Sequence, residues 1–276
     1  MKNPTENRFI PMTSVSSGKG REVKDDIFYY TNQIVNLITI GNPREGDWVL
    51  VDAGMAKSGP EILKVIEDRF GPYNKPSAII LTHGHFDHVG GLPDLLEAWD
   101  VPVYAHPWEF PYLTGEKPYP KPDPSVEGGL LAKVSFIYPT EPINIKENLF
   151  PLPTDHTLPH LPGWVWILSA GHSPGHVSFY RTEDGILLSG DAFITVRQDS
   201  LYRVLIQKEE INGPPRYLTT DWQAAWDSVK NLALLQPSLV IPGHGNAMEG
   251  VELKDGLKTL VEAFDRIAIP DYGKYI

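Results

Sequence analysis

Three histidines and an aspartate stand within six residues at His83-Gly84-His85-Phe86-Asp87-His88. Imidazoles this close raise one another's electrostatic cost if they carry charge. A divalent metal removes that cost, because it binds neutral imidazole and ionised carboxylate. His83 and His85 are two apart, so in extended backbone they project to the same side. Asp87 and His88 follow a turn and can address a second point nearby. The pattern suits two adjacent ions, and a metal pair about 3.5–4 Å apart is a recognised hydrolytic device.

Three later segments carry further donors. His172 lies in Gly171-His172-Ser173-Pro174-Gly175-His176, Asp191 in Ser189-Gly190-Asp191, and His244 in Pro242-Gly243-His244-Gly245. Each stands at the end of a predicted strand beside glycine, where an α/β layer opens its site. A lone strand-end histidine is more often structural; together with the first cluster these become a ligand set. Spacing alone leaves His172 and His176 as alternatives for one ligand position. His106, after another predicted strand, reads as structural. His156 and His160 flank a Pro-rich turn and suit either a pocket wall or the surface.

The elements that must position these groups alternate strand and helix in the second quarter, which predicts a layered α/β architecture. Strands are expected at 34–40, 48–51, 77–81 and 101–104, and again at 164–168, 177–180, 185–189 and 239–241. A helix is expected after Ser58 and Pro60, burying Ile62, Leu63, Ile66 and Phe70. A second buries Leu92, Leu95, Leu96 and Trp99. A third carries Trp222, Trp226 and Val229 behind a Thr220/Gln223 capping box, and a last one spans about 251–267. Residues 19–24 read as an exposed turn. Residues 106–128 and 197–217 read as loop insertions in a single domain covering 1–276. Long loops of this kind serve as lids or as plain surface. Trp108, Phe110, Tyr112 and Tyr119 suggest an aromatic pocket wall in the first of them.

Bulk properties narrow the function classes. The 276 residues are 41% hydrophobic, which suffices for a buried core. The net charge of −11 opposes nucleic-acid binding, and no Lys/Arg cluster offsets it. No apolar run approaches a membrane span, and the polar residues 1–8 lack the pattern of a signal peptide. With no cysteine, thiolate ligands and disulfides are excluded, which fits a cytoplasmic protein. The expected partner is a small-molecule substrate, with no nucleic acid and no membrane; the oligomeric state is left open.

The chain resembles the metallo-β-lactamase-fold hydrolase superfamily, in its glyoxalase II and lactonase-like branch. All five motifs stand in order: Asp52 after a strand, the 83–88 cluster, Gly171-His172, Asp191 and His244. The resemblance implies an αββα four-layer sandwich. It implies that His83, His85 and His172 bind one metal, that Asp87, His88 and His244 bind the other, and that Asp191 bridges both. It implies two Zn²⁺ ions, with Fe or Mn as substitutes, and Asp52 orienting a ligand imidazole. It takes His172 as ligand and His176 as support. Asp87 is expected to have an added catalytic role, orienting the hydroxide and later assisting proton transfer.

Departures from the better-known subgroups shape the substrate expectation. Class B1 and B2 β-lactamases use a cysteine ligand, and class B3 enzymes lack the bridging aspartate. Glyoxalase II carries a longer C-terminal helical region than the 32 residues after His244. Acyl-homoserine-lactone lactonases place a tyrosine where Ile194 stands. What remains is a dinuclear hydrolase using a bridging hydroxide on a lactone, thioester or ester carbonyl. The alternatives are a mononuclear iron enzyme resembling persulfide dioxygenases, a phosphodiesterase on the same fold, and a non-catalytic binding module.

Overall fold

The computed structural model describes residues 13–197 and 200–276. The polar start at 1–8, and residues 198–199 of the second expected loop, lie outside the described residues. The chain forms two compact units. One is built from Ser16–Tyr119 and Pro139–Pro162, the other from Thr13–Val15, Pro120–Tyr138 and Gly163–Ile276.

The first unit holds a seven-stranded mixed sheet. Its order is β1 (Lys19–Lys24), β2 (Ile27–Asn32), β3 (Val35–Ile40), β4 (Val49–Val51), β5 (Ala78–Ile80), β6 (Val103–Ala105) and β7 (Leu149–Pro151). The strands from β1 to β4 pair antiparallel, and those from β4 to β7 pair parallel. Parallel neighbours need crossovers. Helix α1 (Gly59–Phe70) connects β4 to β5, and α2 (Phe86–Val89) and α3 (Leu92–Trp99) connect β5 to β6. Leu50, Ile79 and Leu81 are wholly buried against Ile62, Ile66, Leu95 and Leu96, the helix faces expected from their spacing. Trp48 stacks on Phe70 at 4.3 Å and meets Trp99 edge-on at 5.9 Å.

Two local expectations need correction here. Among the described residues, 19–24 form an edge strand paired to β2, in place of the expected exposed turn. Charged, solvent-facing side chains are how a sheet blunts its edge, so such a strand reads locally like a turn. The stretch from His106 to Tyr119 is not a bare loop: it contains helical turns at Pro107–Glu109 and Phe110–Leu113. Tyr112 and Tyr119 are buried and stacked at 3.8 Å, while Trp108 points to solvent.

The second unit holds another mixed sheet. Its strands run in the order Met248–Glu249, Leu239–Pro242, Ile186–Gly190, Val177–Arg181 and Leu161–Leu168. Ile186–Gly190 and Leu239–Pro242 are parallel, with the helix Trp222–Leu234 between them in sequence. Asp221, not Thr220, caps that helix: its carboxylate accepts from Ala224 N at 2.9 Å. Gln223 bonds Asp227 instead of closing a capping box. The helix begins one residue later than expected, which moves the capping position with it. The last helix breaks at Ala263 into Gly250–Glu262 and Phe264–Ile267. The second expected loop holds the helix Leu201–Ile206 and the strand Glu209–Asn212, which pairs with Ile194–Val196. Among the described residues no helix is long and apolar enough to cross a membrane.

Candidate metal centre

In the first unit, β5 delivers the chain to Thr82 and the histidine cluster. His83, His85, Asp87 and His88 are all buried. His85 is extended (φ −65°, ψ 154°) and precedes the single turn of α2, which carries Asp87 and His88. His83 Nε2 and His85 Nδ1 stand 3.0 Å apart. The ligand atoms of His83 and His88 fall within 4.8 Å of each other, as do those of Asp87 and His88.

Asp52 governs which nitrogen His83 and His88 offer. It sits in left-handed backbone (φ 60°) after β4. Its carboxylate accepts from Thr82 N, from Thr82 Oγ1 and from His88 Nδ1, each at 2.8 Å. His88 therefore carries its proton on Nδ1 and presents Nε2 as the ligand atom. Thr82 spends its hydroxyl proton on Asp52, so at 3.1 Å it accepts from His83 Nδ1. His83 in turn presents Nε2. Two nitrogens held by one tetrahedral ion at about 2.0–2.1 Å stand about 3.3 Å apart, close to the separation of His83 Nε2 and His85 Nδ1.

In the second unit, Gly171 (φ 129°) sets the position of His172. An added Cβ there would lie 2.3 Å from Ala225 N, and the Gly171 carbonyl accepts from Thr220 N and Asp221 N. His172 Nδ1 lies 3.2 Å from Thr219 Oγ1, which donates to Pro215 O. The hydroxyl must then accept from the ring, and His172 presents Nε2. Asp191 follows Ile186–Gly190, and His244 follows Leu239–Pro242. Asp191 Oδ2 lies 3.4 Å from His172 Nε2 and 3.2 Å from His244 Nε2, so one carboxylate oxygen serves both rings.

His176 has a different position. Ser178 donates to Ser189 O at 3.0 Å, Ser169 donates to Ser178 at 2.8 Å, and Ser169 accepts from His176 Nδ1 at 2.8 Å. His176 Nε2 accepts from Asp191 N at 2.8 Å. One ring nitrogen is thus bonded to Ser169 and the other to the Asp191 backbone. His106 Nδ1 accepts from Trp108 N and caps a helical turn. His156 and His160 are exposed residues in left-handed turns (φ 65° and 62°). Glu109, which carries no signal in the sequence, is wholly buried and bonded to the Gly84 backbone.

The donors are imidazole and carboxylate throughout, a set suited to Zn²⁺, Fe or Mn. A family model described as the metallo-beta-lactamase superfamily matches residues 31–244. The chain belongs to the metallo-beta-lactamase superfamily. Within it, the chain is 43% identical over 260 residues to the probable metallo-hydrolase YflN of Bacillus subtilis (strain 168), covering 94% of this chain and 98% of that protein. It is 37% identical over 170 residues to the probable metallo-hydrolase YybB of the same organism, covering 62% of this chain and 64% of that protein. Among solved structures it is similar to TTHA1623 in a di-iron-bound form, with 31% identity and a TM-score of 0.52 over 78% of this chain and 89% of that one. ST1585 from Sulfolobus tokodaii, at 18% identity and a TM-score of 0.56 over 92% and 83% of the two chains, shares the fold. This superfamily member is a metal-dependent hydrolase with the α/β metallo-β-lactamase fold.

Proposed function

We propose that the protein is a dinuclear hydrolase of small lactones, thioesters or esters. As the family resemblance implies, His83, His85 and His172 would hold one ion, Asp87, His88 and His244 would hold the other, and Asp191 would serve both. The observation that carries this reading is the single Asp191 oxygen set within 3.4 Å of His172 Nε2 and 3.2 Å of His244 Nε2. A carboxylate so placed is a bridging ligand in waiting. The di-iron state of the similar TTHA1623 supports a two-metal reading. Zn²⁺ is the ion we favour, because all the donors are imidazoles and carboxylates that suit it.

Two such ions supply Lewis acidity toward a carbonyl oxygen and an acidified water near neutral pH. The residues do the rest. Asp52 and the threonines Thr82 and Thr219 fix the ring tautomers. Asp87 holds the attacking water's proton and returns it toward the leaving group. A single-iron enzyme would leave Asp87, His88 and His244 without a coordinating role, so the two-ion reading is preferred.

The test is elemental analysis of the purified protein together with a screen of lactone, thioester, ester, phosphodiester and β-lactam substrates. Two ions per chain and turnover of a carbonyl ester support the proposal. One iron per chain, or turnover of phosphodiesters alone, overturns it.

A further inference from the structure

Glu109 ends the helical turn Pro107–Glu109 and is 0% exposed. A buried carboxylate is costly unless its oxygens are hydrogen-bonded. Glu109 Oε2 accepts from Gly84 N at 3.0 Å and from the Tyr119 hydroxyl. The Gly84 N–H is shared, for it also reaches Tyr119 Oη at 3.0 Å. Burial and the adjacent Glu109 push the Tyr119 phenol well above the ordinary tyrosine range, so it keeps its proton and acts as donor. The Tyr119 ring stacks on Tyr112 and tilts against the His85 ring at 4.4 Å.

Gly84 is the residue between His83 and His85, so its peptide planes set the separation of those two rings. A Cβ at Gly84 would meet Tyr119 Oη at 2.7 Å and Leu113 Cδ2 at 3.0 Å. The close fit keeps the loop against the Glu109–Tyr119 pair. An apolar side chain would fill the position of Glu109 at lower cost, so what distinguishes Glu109 there is what it bonds. We propose that Glu109 and Tyr119 are positioning residues that clamp the Gly84 backbone and thereby set the geometry and affinity of the ion held by His83 and His85. The inference rests on the dinuclear reading proposed above.

The test uses Co²⁺ as the probe, titrated into full-length protein and into Tyr119→Phe and Glu109→Gln. Tyr119→Phe keeps the ring stack and removes only the hydroxyl; Glu109→Gln keeps the shape and exchanges one carboxyl oxygen for an amide NH₂. Competition with a chelator reads affinity, and the visible Co²⁺ bands read ligand geometry. Both variants are expected to bind one of the two ions about 10–100-fold more weakly, with shifted bands. A purely structural role would lower the melting temperature and leave the bands in place. If the parent protein takes two ions and both variants match it in affinity and spectrum, the clamp is overturned alone. A parent protein that takes no Co²⁺ overturns the dinuclear reading, and the clamp with it.

Discussion

Asp52 Oδ2 stands 2.8 Å from His88 Nδ1, and the same oxygen takes the Thr82 hydroxyl proton that makes Thr82 an acceptor for His83. One buried carboxylate thus sets the tautomer of two imidazoles. Replacing it by alanine removes the acceptor for three donors. Asp52→Ala is expected to weaken metal binding about 10–100-fold and to lower stability by about 1–3 kcal/mol. Asp52→Asn should be milder, since an amide oxygen still accepts and asparagine tolerates the left-handed backbone. Chelator competition and urea unfolding measure both effects; an alanine variant with unchanged metal affinity would show that the tautomers need no such control.

Asp191 presents one oxygen to His172 and His244. Asp191→Ala is expected to lose metal and hydrolysis together. Elemental analysis and turnover of the same preparation check this. Two retained ions with full turnover would contradict the bridging role.

His172 and His176 are separable by experiment. His172→Ala removes a proposed ligand and should cut metal content. His176→Ala removes a support of the Asp191 N–H and of Ser169, and should lower stability by about 1–3 kcal/mol with a smaller loss of metal. Metal content and denaturation midpoints of the two variants decide it. The reverse pattern, with metal lost only in His176→Ala, would exchange their roles.

His106 links stability to pH. Burial lowers its pKa below the ordinary 6.5. Its Nδ1 also accepts from Trp108 N, a bond that protonation breaks. On acidification the unfolded chain takes up the proton before the folded one does. The stabilising contribution is therefore present above about pH 6.5 and declines as pH falls through the folded value. His106→Asn, which can still cap the turn, is expected to flatten the decline in unfolding midpoint between about pH 7 and 5. An unchanged slope would assign that pH dependence to other groups.

The metal-binding character of this chain was legible in its sequence because four donors crowd into residues 83–88. Local backbone geometry alone carries those side chains to one place. The apolar runs of β4 and β5 and the helical stripe of Leu92, Leu95, Leu96 and Trp99 were legible for the same reason: period and burial are local. The edge strand Lys19–Lys24 was not, since its identity comes from the neighbour it pairs with and its charges belong equally to a turn. Nor was the cap at Asp221, which a one-residue shift in the helix start decided.

Glu109 shows the limit most clearly. Nothing near it in sequence marks it, and its meaning comes from Gly84, 25 residues away. The choice between His172 and His176 is of the same kind. Spacing puts both within reach, but a ring is a ligand or a support according to what its nitrogens bond. For His172 one nitrogen is settled by Thr219, 47 residues on, and for His176 by Ser169 and the Asp191 backbone. Sequence determined which side chains are able to bind a metal; tertiary structure decided which nitrogen each presents, because tautomers are set by partners that only folding brings near.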